Sequence, residues 1–342
     1  MSPVLQPPPR RTTRRSVLAG AVALIAGGAL AACGGSSGTA STKAADGSTT
    51  VTVLRSTGST FEPLYIAEQQ GYFKAAGLTV TIKAGAQDTS QNAPSVLNGE
   101  AEFAMTDSSG FLKAAAQKLP VRVVSNLQAA TTKTPPSDGL LVKKDSPIKS
   151  YADLEGKTVG LAALGGTLQF ICEYSTKQAG GDPSKIKFVA LPLTSLNDAV
   201  QQGKVDAVYT FATFLDAGKA AGLTAIGQGT NALPGLPQAL LFSSQAWLAK
   251  NADTAKKFTD AISKAIDYAN ANPDAVRAVD TQYTQLPADY IKNRTIQQFS
   301  APIDTGVMQT VITNMVDFGL LKAAPDSNSL LWDQAATTTN SQ

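Results

Sequence analysis

The chain has 342 residues, 29 of them basic against 26 acidic, with two cysteines and no histidine. The missing histidine excludes every triad, acid–base pair and metal site that depends on an imidazole. Taking away residues 1–32 removes four arginines and no acid, leaving 25 basic against 26 acidic. The basic excess therefore lies at the N-terminus, and the remainder carries no field suited to nucleic acid.

In chain order, Arg10, Arg11, Arg14 and Arg15 precede an apolar or small-residue run from Val17 to Ala32. A spanning helix needs about 20 apolar residues, so the run is too short to cross a bilayer comfortably. A charged start, a short apolar stretch and small residues before a cleavage point describe an export signal over 1–32. The order "TRRSVL" fits a twin-arginine signal. The tetrapeptide "LAAC", Leu30–Cys33, resembles the lipobox of bacterial lipoproteins, which implies cleavage before Cys33 and lipidation of its thiol. Two acyl chains anchor stably where one is marginal. Residues 33–49 are small and polar and form a flexible tether. Only Cys172 then remains, so no intramolecular disulfide is available. Its helical spacing from Leu168 and Ile171 makes it a buried structural thiol.

Residues 50–342 are long enough for two lobes. Strands are expected at Thr50–Leu54, Leu78–Ile82, Glu102–Met105, Val121–Ser125, Gly139–Lys143, Thr158–Ala162, Lys187–Leu191, Val205–Tyr209 and Ala239–Ser243. Helical spacing of apolar residues marks Pro63–Gln70, Ala93–Leu97, Phe111–Gln117, Thr167–Gln178 and Leu196–Gln202. This alternation predicts α/β layers with mostly parallel sheets. After Ala239 the pattern turns helical. Phe258, Ile262, Ala265 and Ile266 mark one face, which Pro273 interrupts. Val307, Met308, Val311, Ile312, Met315 and Val316 mark another, ended by Gly319. These helices are expected to return and cover the first lobe.

An internal repeat organises the middle of the chain. "TVTVLRSTGST" (Thr50–Thr60) and "GKTVGLAALGGT" (Gly156–Thr167) each run from strand through glycine to a threonine that opens a helix. A second echo follows each of them: "VLNGEAEFAMT" (Val96–Thr106) and "VQQGKVDAVYT" (Val200–Thr210). Both copies hold a glycine suited to a left-handed helix cap (Gly99, Gly203), an acid at the strand start (Glu102, Asp206) and a threonine at the strand end (Thr106, Thr210). Two matches in the same order favour two related lobes.

Ligands of open parallel sheets bind beyond the carboxyl ends of the strands, where helix N-termini supply free N–H groups and a positive dipole end. Thr57–Thr60, Thr106–Ser109, Gly165–Thr167 and Thr210–Phe211 occupy that position. Their hydroxyls and amides suit an anionic or strongly polar head group; the same residue types also serve as ordinary N-caps. "GLAALGGT" (Gly160–Thr167) nearly spells a P-loop, but Gly166 stands where the phosphate-binding lysine belongs, so nothing in it balances the β- and γ-phosphates. Phe61, Tyr209, Phe211 and Phe214 lie beside these loops and either stack on an organic body or pack between sheet and helix. Glu62 and Asp107 either pair an ammonium group or face solvent. Arg55 either bridges an anion or is solvated.

The phrases "PLYIAEQQGYFKAAGLTVTI" (Pro63–Ile82), "LNGEAEFAMT", "LVKKDSPIKSYADLEGKTVGL" (Leu141–Leu161) and "LNDAVQQGKVDAVYTF" (Leu196–Phe211) resemble the solute-binding proteins of nitrate/sulfonate/taurine-type ABC importers. That group is related to the fungal thiamine-pyrimidine synthases. The similarity covers roughly Val51–Val316. It implies a type II periplasmic-binding fold: two α/β lobes joined by two crossover strands, with the ligand in the cleft and hinge-like closure. Lobe 1 would be 51–146 plus 236–335, and lobe 2 would be 147–235. The implied ligand contacts are Thr57, Ser59, Phe61, Thr106, Ser108, Gly166, Thr167, Tyr209, Thr210 and Phe211. The resemblance implies a monomeric, lipid-anchored, extracytoplasmic receptor that hands a small polar solute to a membrane permease, without metal, cofactor or catalysis. A sulfonate- or taurine-like anion is the favoured solute; a pyrimidine-type thiamine precursor is the alternative. The fungal enzymes use a histidine reactant that this chain lacks. An enzyme using the loop hydroxyls, or a surface sensor, are the readings of other classes.

Overall fold

The computed structural model describes residues 43–44, 47–56, 60–86 and 89–339, all within one compact unit, Gly38–Gln342. The export signal, Cys33 and most of the tether, with Thr57 and Ser59, lie outside the described residues.

The chain opens with β1 (Thr49–Arg55), α1 (Glu62–Gln69), α2 (Tyr72–Ala75), β2 (Leu78–Ala84), α3 (Asn92–Leu97), β3 (Phe103–Thr106), α4 (Ser108–Ala116) and β4 (Val121–Ala129). It continues through β5 (Asp138–Val142), β6 (Thr158–Leu161), α5 (Thr167–Gln178), β7 (Lys187–Ala190), α6 (Leu196–Gln201), β8 (Ala207–Phe211), α7 (Ala212–Ala220) and β9 (Thr224–Ile226). It then returns as β10 (Pro237–Ser244), α8 (Gln245–Lys250), α9 (Ala252–Ala271), α10 (Pro273–Tyr283), α11 (Ala288–Asn293), β11 (Ile303–Asp304), α12 (Thr305–Asp317) and β12 (Thr337–Thr338).

Two five-stranded sheets result, ordered β2-β1-β3-β10-β4 and β7-β6-β8-β5-β9. They share one blueprint. In each, a central strand pairs in parallel with two neighbours, and the fourth strand runs antiparallel to both of its neighbours. The sheets are therefore mixed, not mostly parallel as the alternation predicted. The reason is connectivity: β5 and β10 each enter a sheet from the other lobe, and so arrive from the cleft end. β5 pairs within the second sheet, whereas a boundary at 146/147 would leave it with the first.

The repeated acids perform one task twice. The Thr52 N–H donates to Glu102 Oε2 at 2.6 Å, and the Thr158 N–H donates to Asp206 Oδ2 at 2.7 Å. In return, the Glu102 and Asp206 N–H groups donate to the Thr52 and Thr158 carbonyls. Each acid thus satisfies a strand amide beyond the end of its neighbour's ladder and fixes the register of β3 on β1 and of β8 on β6. Gly99 and Gly203 sit at φ of 76° and 70° as the expected helix caps.

Packing divides the apolar residues by face. The Phe258 ring of α9 stacks between Phe73 and Phe103, with ring centroids 5.3 and 4.2 Å away, where α9 covers the first sheet. Helix α12 does something else. It belongs to a core that runs from Phe111 and Phe242 of the first lobe to Phe170, Cys172 and Tyr209 of the second. Lys177 of α5 donates to Asn314 Oδ1 at 2.9 Å and pairs with Asp317 at 3.2 Å. The last helix therefore bridges the lobes instead of only covering the first. Downstream of it, Leu330 and Trp332 hydrogen-bond with Val123 at the edge of the first sheet.

The crossovers 130–137 and 227–236 lie side by side. The Ala130 N–H donates to the Leu236 carbonyl and the Gly235 N–H to the Ala130 carbonyl, both at 2.9 Å. Asn231 Nδ2 donates to the Thr134 carbonyl at 2.8 Å. At their lobe 2 end, the buried Asp138 carboxylate accepts from Tyr209 OH (2.6 Å), Thr230 N–H (2.9 Å) and Thr230 Oγ1 (2.7 Å). Burial pushes its pKa up, and the bonds from Tyr209 and Thr230 oppose that shift. Gly229 makes this approach possible: its φ is +57°, and a β-carbon there would stand 2.8 Å from Asp138 Oδ2 and closer still to the Asp138 carbonyl oxygen. Gly229→Ala is expected to lower the unfolding free energy by more than about 1 kcal/mol. Urea midpoints of the two proteins check this, and an unchanged midpoint would show that the crossovers yield to the added methyl.

Candidate functional site

The loops singled out in the sequence lie between the carboxyl ends of β1, β3, β6 and β8 and the N-termini of α1, α4, α5 and α7. Helix α4 is capped by Asp107, whose Oδ1 accepts from the Gly110 N–H at 2.6 Å. Asp107 therefore takes the capping role and not that of a free carboxylate. Helix α5 begins at Thr167 after Gly166, which has no side chain to cap it. Gln169 instead folds back to accept from the Gly165 N–H at 2.7 Å.

The two lobes meet through α4 and α5. Thr167 Oγ1 and Ser109 Oγ stand 3.2 Å apart. One turn along α4, Lys113 reaches over Gly165, where a β-carbon would lie 2.6 Å from Nζ. Gly165 has a φ of +71°, a left-handed conformation that favours a glycine. Ser109 and Lys113 are four residues apart and share a helix face. The other member of the seam is α12, whose Met315 Sδ lies 3.9 Å from Ser109 Oγ.

The predicted contacts among the described residues separate into four groups. Thr167 and Gly166 stand at the seam. Thr106 and Thr210, at equivalent strand ends, are buried with hydroxyls that have no partner among the described residues. Thr106 adjoins a void of about 10 Å³ beside Gly110 and Phe111. Phe61, Ser108 and Tyr209 are committed to the interior. Phe61 lies beneath the Arg55 guanidinium, 4.2 Å from ring centroid to Cζ. Ser108 donates to the Pro237 carbonyl. Tyr209 donates to Asp138. Phe211, by contrast, is 37% exposed, and Leu164 on the neighbouring strand's loop is 50% exposed.

Arg55 and Glu62, like Asp107, were legible only as alternatives. Arg55 is held by Tyr65 OH (3.1 Å) and the Ser56 carbonyl (2.8 Å) as well as by the Phe61 ring. Glu62 does not face solvent. It is buried against Arg294 (2.8 Å), which also binds the buried Asp280. Two carboxylates share one guanidinium there, and burial pushes the Glu62 pKa up while Arg294 pulls it down. Glu173, which accepts from Gln169 Nε2 at 3.1 Å, is pushed up to about 7 by burial, opposed by that hydrogen bond.

A recess of about 220 Å³ lies elsewhere, lined by Val142, Lys143, Ile148, Lys149 and Thr224. β5 runs antiparallel to β8, with Asp138 opposite Phe211 and Leu141 opposite Val208, so this recess is at the far end of β5 from the four loops. Its size alone does not make it the solute site, because the N-terminus of α5 meets α4 at the other end, with Thr167 and Ser109 3.2 Å apart. Sequence reasoning passed over Lys113 and Asp138. Lys113 had a signal, being the one charge in the small and apolar helix "SSGFLKAAA"; Asp138 in "PPSDG" read as a turn residue.

Paired mixed sheets, two adjacent crossovers and helix N-termini turned to a common seam define the periplasmic-binding-protein fold. The chain belongs to the NMT1/THI5-like family, which it matches over residues 59–276. It is 28% identical to YtlA of Bacillus subtilis over 263 residues, 74% of this chain and 76% of that protein. It is 26% identical to the riboflavin-binding protein RibY of Chloroflexus aurantiacus over 245 residues, 70% of this chain and 66% of that one. Among solved structures, the periplasmic aliphatic sulphonate-binding protein SsuA of Escherichia coli superposes with a TM-score of 0.69 at 19% identity, covering 84% of this chain and 98% of that one. The periplasmic nitrate-binding protein NrtA of Synechocystis gives 0.61 at 14% identity, covering 82% and 84%.

The raised pKa of Glu173 carries a pH dependence. Between the ordinary value of 4.5 and about 7 the folded state holds a proton that the unfolded state has released. This contribution to stability is complete below 4.5 and is lost as pH rises through about 7. Denaturation midpoints of Glu173→Gln are expected to fall less between pH 5 and pH 8 than those of the wild type. Parallel profiles would contradict the assignment.

Proposed function

We propose that this protein is the solute-binding receptor of an ABC importer, capturing a small polar organic solute between its lobes and delivering it to a membrane permease. The observation that carries this reading is the seam itself. Equivalent strand ends of two like-built lobes each carry a buried threonine hydroxyl, on Thr106 and Thr210, with no partner among the described residues, and the N-terminus of α5 meets α4 where Thr167 and Ser109 stand 3.2 Å apart. Buried donors are costly unless something accepts from them. Family membership supports the same reading, as does the likeness in fold to sulphonate- and nitrate-binding proteins. Two lobes on adjacent crossovers suit hinge closure, and no bond need be made or broken.

A sulfonate- or taurine-like anion is the favoured solute. Phe61 and Tyr209, two of the rings that would stack on a pyrimidine-type thiamine precursor, are sealed in the interior, which weakens that alternative. The solute contacts would be Thr167 and the amides after Gly166, with Thr106, Thr210 and Phe211 at the margins. Tyr209, Phe61 and Ser108 would position these elements without touching the solute.

Native mass spectrometry of freshly purified protein is expected to detect a retained, chemically unaltered small molecule; a molecule converted to product would refute the transport role. At a hundredfold excess over Kd the same molecule should stabilise the fold by about 2.7 kcal/mol. Thr167→Leu should weaken its binding at least tenfold, and unchanged affinity would displace the site from α5. Membrane attachment through Cys33 is tested separately. Cys33→Ser should move the protein from the membrane fraction to the soluble fraction, and persistence in the membrane would exclude the lipid anchor.

A further inference from the structure

We propose that Gln297 fixes the axis about which the lobes turn, by clamping the middle of the outgoing crossover to the first lobe and confining rotation to the stretch from Pro135 to Ser137. The use of such an axis rests on the receptor reading above, because a hinge has a purpose only if the lobes close on something.

Residues 294–301 run as a strap beside the outgoing crossover, 130–137, and the strap is anchored at both ends. At one end the Arg294 guanidinium binds Asp280 of α10 and Glu62, the first residue of α1. At the other, the Ser300 N–H donates to the Leu127 carbonyl at 2.9 Å and the Asn126 N–H to the Ala301 carbonyl at 3.0 Å. There too the Asn270 side chain of α9 bonds both the N–H and the carbonyl of Phe299. All these partners belong to the first sheet or to helices packed on it.

Between its anchors the strap reaches the crossover through both atoms of one amide. Gln297 Oε1 accepts from Thr134 Oγ1 at 2.8 Å, and Gln297 Nε2 donates to the Pro135 carbonyl at 2.9 Å. The crossover reads Thr134-Pro135-Pro136 at this point. Two prolines bring no N–H groups, so this backbone cannot build a ladder of its own. Side chains meet its carbonyls instead, Asn231 at Thr134 and Gln297 at Pro135.

The second lobe takes hold only further on. The Ser137 carbonyl accepts from the N–H of Ala212, which opens α7, and Asp138 is bound by Tyr209 and Thr230. The crossover is thus held by the first lobe up to Pro135 and by the second from Ser137. Pro136 lies between them with one of its torsions locked by its ring. A joint this short turns about a defined axis and returns α5 to the same place on α4. Without Gln297 the stretch free to flex would reach back to Thr131, and the lobes would meet in register less often.

A disulfide placed across the seam reads this directly. With Ser109→Cys and Thr167→Cys in the purified protein, titration in a glutathione redox buffer gives the effective concentration of the two thiols, the cross-linked pair being identified by the mass of its tryptic peptides. Cys172 is buried and stays out of the exchange. Adding Gln297→Ala should lower the effective concentration at least threefold. Thr134→Val should lower it in the same direction, and the double variant should fall no further than Gln297→Ala alone. Small-angle X-ray scattering of Gln297→Ala without the added cysteines should show an increased radius of gyration. An unchanged effective concentration, additive losses from Thr134→Val and Gln297→Ala, or an unchanged radius of gyration would each overturn the proposal. These measurements need no solute, so they stand apart from the receptor reading, which fails on conversion of a retained solute to product.

Discussion

The carboxylate of Asp138 is the constraint from which the two-lobed arrangement follows. A buried carboxylate is tolerated only when its oxygens are hydrogen-bonded, and here the donors come from two different elements of the lobe connection. Tyr209 brings the end of β8, and Thr230 brings the return crossover. With those partners fixed, β5 must enter the second sheet antiparallel to β8. The two crossovers must then run side by side, and the loops at the ends of β6 and β8 must face those of the first lobe. The seam between α4 and α5 is thus set by a polar contact that lies behind it, inside lobe 2.

The two halves solve one problem with the same parts. Glu102 and Asp206 each accept from an amide of the neighbouring parallel strand, that of Thr52 in β1 and that of Thr158 at the start of β6. Their positions look like ordinary surface acids in a sequence, yet both act as register pins. The halves differ where they serve different ends. The first lobe caps its seam helix with Asp107, while the second leaves α5 bare behind Gly165 and Gly166. The first lobe also carries the largely buried Arg294 guanidinium, shared by Glu62 and Asp280, a charge pattern with no counterpart among the described residues of the second.

Local chemistry made much of this legible in the sequence. Apolar spacing located α5 at Thr167–Gln178, where it is found, and placed Cys172 in the core. The break at Pro273 separates α9 from α10. The paired motifs foretold two lobes of one design. What escaped was set by contacts distant in sequence. Membership of β5 in the second sheet depends on pairing with β8, some 70 positions away in the Asp138–Tyr209 bond, and no periodicity within Asp138–Val142 encodes it. Helix α7 went unseen because it starts directly from a strand, through Ala212 at a φ of 49°, with no side-chain cap to announce it. Tyr209 was placed beside the ligand because it neighbours the loop, but alternation along β8 turns it inward, away from the face that Thr210 occupies.

Helix α12 has a consequence for how such a molecule would move. Its apolar side packs continuously with both lobes, and Lys177 ties its end to α5. Rotation about the crossovers cannot then be a free swing. The helix must either travel with lobe 2 or slide along it in a shear. The work of repacking that surface enters the equilibrium between open and closed forms, and apparent affinity scales with the fraction of molecules already competent to bind. Residues on the back of α12, distant from any solute, thereby become determinants of how tightly the solute is held.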